Sequence, residues 1–241
     1  MKVAVCISGH LRCIKHGYEN FQEVFVQSNP GYSFDFFIDT WDNLDWRNEN
    51  AFKDTSDIIP QVNEIYNPIK INIEKFINWD TSKYMKYISN KRWVKKGMNG
   101  KRSKGEHILG MYYKIFKCNN LKIEEEEKRA FKYDLVIRSR TDISFTSPFN
   151  LDNLKNTDTT IYVPQCDQVA RSGGIPIRDM FAISSSENMD YYCHLFNKID
   201  DILNTTKVFR PEPMLYHHLS ENPQLDVAEI KNNWFIPQRE K

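Results

Sequence analysis

The feature that most constrains this chain is a short apolar run at its start, Val3-Ala4-Val5-Cys6-Ile7, which stops abruptly at Ser8-Gly9. An uninterrupted apolar run of that length predicts a strand covered on both faces, the way strands of a parallel sheet read. The pattern then recurs with helix-like spacers. A helix is expected around residues 18–27, after which Phe34-Asp35-Phe36-Phe37-Ile38 forms a strand closing on Asp39-Thr40-Trp41. A weaker strand at 69–73 follows the turn signal Asn67-Pro68. From 106 to about 129, Ile108, Met111, Tyr112, Ile115, Cys118 and Leu121 mark one side of an amphipathic helix. Its acidic run Glu124 to Glu127 opposes the helix dipole and predicts a frayed last turn. Further strands are expected at Tyr133-Asp134-Leu135-Val136-Ile137, Ile161-Tyr162-Val163-Pro164 and Met180-Phe181-Ala182-Ile183, with helices at about 188–203 and 213–219. Strands alternating with helices predict an α/β fold, one domain over 1–241, with a mainly parallel Rossmann-like sheet flanked by helices.

Composition narrows the function classes. With 33 basic and 32 acidic residues among 241, the chain has no global field to gather nucleic acid or an anionic membrane, so a polyanion site must be local. Five cysteines, scattered and without a C-x-x-C pair, suggest neither a disulfide framework nor a zinc site. The opening run is too short for a signal sequence, and no stretch reaches the roughly 18 apolar residues of a membrane span. The expectation is a cytoplasmic protein with no transmembrane segment.

In open α/β sheets ligands bind outside the carboxyl ends of the strands, so polar residues just after each strand are the first suspects. Three clusters qualify: Ser8-Gly9-His10-Leu11-Arg12, Asp39-Thr40-Trp41-Asp42 and Arg138-Ser139-Arg140-Thr141-Asp142. In the third, two guanidiniums can fork onto phosphate oxygens while a carboxylate holds a divalent cation bridging them. The structural alternative is an arginine–aspartate pair that only satisfies itself. In the first, amides near Gly9, the Ser8 hydroxyl and Arg12 suit a nucleotide, although a glycine in a plain strand-to-helix turn reads the same way. For Asp39-Thr40-Trp41 the structural alternative is a helix N-cap, aspartate or threonine starting the next helix. The known phosphate loops fail. No G-x-G-x-x-G follows the first strand, and after Gly100 and Gly105 the residues Glu106-His107 stand where a Walker loop needs lysine and a hydroxyl.

The runs VAVCISGHLR, DFFIDTW and YDLVIRSRTDI, in that order, resemble the GT-A-type nucleotide-diphospho-sugar glycosyltransferases of polysaccharide and viral capsid glycan synthesis. The resemblance implies transfer of a sugar from a nucleotide-sugar donor to a hydroxyl of a glycan or glycoconjugate, assisted by Mn²⁺ or Mg²⁺. By that likeness Asp142 binds the metal, Arg138 and Arg140 lie beside the diphosphate, and Ser8, Gly9, Arg12, Asp39 and Thr40 line the nucleotide. Arg140 stands where the usual D-x-D signature has its first aspartate, so a cationic side chain would partly substitute for the ion. The segment from Gly173-Gly174 to Asp179 resembles the loop that leads to a catalytic aspartate before a strand. A transfer that inverts the sugar needs a carboxylate to take the acceptor's proton, and Asp179 is the candidate base. Glu212 is a second candidate, facing the acceptor from a helix start; each carboxylate also has a plain structural reading, Asp179 as an arginine partner and Glu212 as a helix-dipole partner.

Other features stay open. Of His217-His218 at most one can serve any one site, since adjacent helix residues point about 100° apart. The basic run 91–104 suits a lid over a diphosphate or an ordinary solvated loop, and with Trp93 it motivates a different class, a non-enzymatic nucleotide- or nucleic-acid-binding module. A nucleotidyltransferase on the same type of sheet is a third possibility, told apart by release of pyrophosphate.

Overall fold

The computed structural model describes residues 1–42, 58–87, 104–164, 177–230 and 234–235. The basic run up to residue 103, Gly173-Gly174, Arg171, Trp46 and Trp93 lie outside them. The opening run is β1 (Lys2–Ser8), followed by α1 (Ile14–Phe21), whose last turn widens into a π-helical turn at Gln22–Val26. Then come β2 (Ser33–Trp41), α2 (Ile58–Tyr66), β3 (Lys70–Glu74) and a 3₁₀ turn at Ser82–Tyr87. The long helix α3 (Lys104–Arg129) precedes β4 (Leu135–Ser139), the two-residue β5 (Ser144–Phe145), β6 (Thr160–Pro164) and β7 (Ala182–Ser184). The chain closes with α4 (Ser186–Cys193), α5 (Leu195–Thr206), α6 (Pro211–Ser220), β8 (Asp226–Ile230) and β9 (Trp234–Phe235).

Seven strands form one sheet in the order β3-β2-β1-β4-β7-β6-β8, and β5 pairs with β9 separately. β1 is flanked in parallel by β2 and β4, β2 by β3, and β6 by β8; β7 runs antiparallel to both β4 and β6. Among the described strands of this sheet, β7 alone runs against the direction shared by the rest. The β3-β2-β1-β4 half is a Rossmann-like arrangement, as the alternating pattern predicts. Burial explains the unbroken apolar runs. Val3, Val5 and Ile7 pack on one face with Phe21, Phe25, Val62 and Tyr66, whereas Ala4 and Cys6 pack on the other with Tyr112, Ile115 and Cys118 of α3. Period-two alternation therefore feeds two separate cores, one under α1 and α2 and one under α3 to α6.

Three local readings need correction. The end of α3 does not fray: Glu125 pairs with Lys70 and Arg129, and Glu126 pairs with Lys122 and Lys132. Partnered carboxylates outweigh an unfavourable dipole of about 0.3–1 kcal/mol. The single helix expected at 188–203 is two, meeting at His194, whose N–H is shared between the carbonyls of Asp190 and Tyr191. Finally, α2, β5, β8 and β9 carry too little periodic pattern to be expected; β8 is a five-residue strand whose pairing within the sheet is to β6.

Candidate functional site

The topology decides which loops meet. β1, β2 and β4 run in parallel and end at Ser8, Trp41 and Ser139, so their following residues share one edge. Because β7 is reversed, its beginning reaches that edge: Ala182 stands opposite Arg138, and Asp179 lies just before it. The turn after β1 requires a glycine. Gly9 has φ +100°, a left-handed conformation, and its N–H donates to the Asp39 carbonyl at 3.0 Å, joining the tips of β1 and β2.

Between these tips lies a solvent-open crevice of about 150 Å³. It is lined by the Ser8-Gly9 turn, by a cationic wall of Arg12, Arg138 and Arg140, and by an aromatic wall that includes Trp41 and Phe76. Trp41 packs against Phe76 with ring centres 4.7 Å apart, and Phe76 in turn meets His10 at 6.5 Å, nearly parallel, and His107 at 6.0 Å. His107 and Gly110, in the first turns of α3, also face the crevice, which puts the positive end of that helix nearby. Gly110 has a steric reason: a Cβ there would sit 3.2 Å from the Phe76 ring and 3.4 Å from Trp41. The volume is below the roughly 300–1,000 Å³ of a pocket enclosing a drug-sized ligand.

Asp142 holds the cationic wall in place. Its Oδ1 accepts from Arg140 Nε at 2.7 Å, and its Oδ2 accepts from Arg140 Nη2 at 2.6 Å and Arg12 Nη1 at 3.2 Å. The carboxylate is almost wholly buried, with 1% of its side chain exposed. Burial works against its ionised form, yet Arg140 and Arg12 prevail and hold the carboxyl below its ordinary value. Arg138 is also buried; one of its N–H groups donates to the backbone carbonyl of Asp179, fastening β4 to the residues ahead of β7.

Of the sequence-derived candidates, Ser8, Gly9, Arg12, Arg138 and Arg140 line the crevice together. Asp39 and Thr40 do not; Trp41 reaches it from that strand. Asp39 is fully buried beneath the wall, where its carboxylate meets Lys114 Nζ at 2.6 Å and Asn72 Nδ2 at 2.8 Å, and Thr40 donates to the Trp41 carbonyl. Burial pushes the Asp39 carboxyl up even against the opposing pull of Lys114 and Asn72. Lys114 also bonds Glu74 at 2.6 Å and sits 4.0 Å from the Trp41 ring centre.

Asp179 and Glu212 stand outside the lining but near each other. Burial, followed by the charge of Asp179, pushes the Glu212 carboxyl upward. Glu212 lies in the first turn of α6, which Tyr112 anchors by donating to the Pro211 carbonyl at 2.8 Å.

A divalent ion on Asp142 fits this arrangement poorly. Both carboxylate oxygens already accept guanidinium N–H bonds, and an ion seated there would have to compete with two fixed cations. Neither histidine of the pair at α6 is directed to this site. His218 Nε2 donates to the Tyr191 carbonyl at 2.8 Å, and His217 faces Glu221 at 3.3 Å. A larger hollow of about 320 Å³, bordered by Phe149, Asn150, Tyr162 and Glu229, has no cation among its described lining residues.

Sequence reasoning missed the aromatic wall and Lys114. Aromatic residues read first as core. Lys114 had a usable signal, a lysine three residues after Met111 and four before Cys118 on the apolar stripe of α3, which only a buried partner explains. No helix among the described residues is long and apolar enough to cross a membrane. No family model matches the chain, and no curated relative matches it.

Proposed function

We propose that this chain is a GT-A-like glycosyltransferase that moves a sugar from a nucleoside-diphosphate-sugar to a hydroxyl of a glycan or glycoconjugate. One observation supports this most: three guanidiniums, a Ser-Gly turn and an aromatic wall meet at the carboxyl edge of parallel strands. Guanidiniums fork onto phosphate oxygens with two parallel N–H bonds, and Trp41 and Phe76 offer ring faces for a base or sugar. As the glycosidic bond breaks, negative charge grows on the diphosphate, and on this reading Arg12, Arg138 and Arg140 of the crevice receive it. A prepositioned donor of that kind is worth about 3–4 kcal/mol to the transition state.

The acceptor side of this reading is the carboxylate pair beside Arg138. Asp179, whose backbone carbonyl accepts from Arg138, is assigned to remove the acceptor's proton, with Glu212 as the second carboxylate beside it. The bond to Arg138 ties that role to the diphosphate wall.

The test is a melting-temperature panel with nucleoside diphosphates and their sugars. A ligand at 100 times its dissociation constant adds about 2.7 kcal/mol, or about 5–10 °C for a chain of this size. Asp179→Asn should keep that shift and lose sugar transfer. If no nucleotide or nucleotide-sugar raises the melting temperature, the proposal fails; release of pyrophosphate in turnover would identify a nucleotidyltransferase instead.

A further inference from the structure

The charge pattern of the crevice bears on how a diphosphate would be neutralised. Enzymes that use Mg²⁺ or Mn²⁺ for this hold the ion through carboxylates that present lone pairs to it, with phosphate oxygens completing the shell. Here the described residues lining the crevice include three guanidiniums and no acidic side chain. Asp142, the carboxylate nearest in role to an ion ligand, is turned to another purpose. Its two oxygens receive three guanidinium N–H bonds, and it is buried beneath the arginines it binds. An ion placed on it would stand against two cations that cannot lose their charge, since arginine stays protonated in proteins. Seating an ion there would also break the hydrogen bonds by which Asp142 holds Arg12 and Arg140.

The same contacts explain what Asp142 does achieve. Arg140 is held bidentate through Nε and Nη2, which fixes the plane of its guanidinium, and Arg12 is drawn to the same oxygen. Arg138 is fixed independently by the Asp179 carbonyl. Three planar donors are therefore oriented before any ligand arrives, each unable to deprotonate and each suited to phosphate oxygens. The described lining itself carries three guanidinium charges and no carboxylate, so positive charge for the two ionised phosphates of a nucleotide-sugar is already in place, and a divalent ion would add two more.

We propose that Arg12, Arg138 and Arg140, aligned by the buried Asp142 carboxylate and by the Asp179 carbonyl, take up the donor's diphosphate directly, without a divalent cation. The inference rests on the nucleotide-sugar reading of the crevice and goes beyond it in assigning the metal's role to side chains. Asp142 is then a positioning residue for two arginines.

Isothermal titration of the full chain with UDP, GDP, ADP, CDP and dTDP tests this, run once with EDTA and once with excess Mn²⁺. The expected result is that whichever nucleotide binds does so in EDTA, with an affinity within about threefold of that in Mn²⁺, well under the tenfold that 1.4 kcal/mol represents. Electron paramagnetic resonance supplies a second readout: the free Mn²⁺ signal over nucleotide should not fall when the protein is added. Binding that appears only with Mn²⁺, or strengthens more than about tenfold with it, overturns the inference and leaves the glycosyltransferase reading standing. Absence of nucleotide binding in both buffers overturns the two together. In Asp142→Asn, checked for native circular dichroism, weakened binding that remains indifferent to EDTA is expected, because the cations persist without their alignment.

Discussion

Replacing Lys114 with methionine removes a buried charge that packs on Trp41, a residue of the crevice lining. Its Nζ lies fully buried, 2.6 Å from both Asp39 and Glu74 and 4.0 Å from the centre of the Trp41 ring. Glu74 keeps about a quarter of its side chain in solvent and can rehydrate; Asp39 cannot, and is left with Asn72. Removing one partner of a buried pair costs about 3–5 kcal/mol. The lost cation–π contact adds to this, and a methionine sulfur against the ring returns about 0.3–1.5 kcal/mol of it. At about 2–4 °C per kcal/mol for a chain of this length, the melting temperature should fall by roughly 6–20 °C. The loss must also depend on pH. Burial already raises the Asp39 carboxyl, and Lys114 is the strongest opposing influence. Without it the carboxyl rises further, so the penalty is greatest at neutral and alkaline pH and shrinks in acid, as Asp39 takes up a proton. Urea unfolding of wild type, Lys114→Met, Asp39→Asn and the double variant at pH 8 and pH 5 measures this. Asp39→Asn should recover at least about 1.5 kcal/mol of the Lys114→Met loss. A loss below about 1 kcal/mol at pH 8, or an equal loss at both pH values, would refute the reasoning that a buried charge is being orphaned.

Two other outcomes follow from single contacts. Gly17→Ala ought to gain about 1 kcal/mol on helix propensity alone; but its new Cβ would lie 2.1 Å from the Thr141 carbonyl, so we expect a net loss of about 1–3 kcal/mol with weaker nucleotide binding as the Arg140–Asp142 segment shifts, and a rise in melting temperature would contradict the close approach. His218 is held below its ordinary value chiefly by burial, against the pull of the Tyr191 carbonyl; its contribution to stability is full above the free-histidine value of about 6.5 and declines as pH falls below it. The urea midpoint of wild type should therefore drop between pH 7.5 and pH 5 more than that of His218→Gln, and parallel declines would remove His218 from the explanation.

The fold was legible where burial on both faces wrote itself into the chain. Val3 to Ile7 and Leu135 to Ile137 are apolar because two cores claim alternate residues, and the polar residues after them mark the ligand edge for the same reason. Short elements were not legible. β8 has an exposed, mixed pattern and owes its existence to β6, a partner more than 60 residues away. At the site, residues whose role follows from backbone position, Ser8, Gly9, Arg138 and Arg140, could be picked out. Residues whose role depends on side-chain pairing were not. Asp39 is as polar as Arg12 in the sequence, and only the arrival of Lys114 from α3 decides that it faces inward. For Asp142 the sequence left both a metal ligand and an arginine partner open, and its pairing with Arg140 and Arg12 is visible only in the fold.

The reversed direction of β7 has an evolutionary consequence. The described crevice lining comes from strand tips and the start of α3, all before residue 143, whereas the residues at Asp179 enter the same edge from the opposite end of a strand, 41 positions after Arg138. On the glycosyltransferase reading, donor and acceptor recognition would belong to separate stretches of gene, and a lineage could alter the residues just ahead of β7 to meet a new acceptor while keeping the three arginines unchanged.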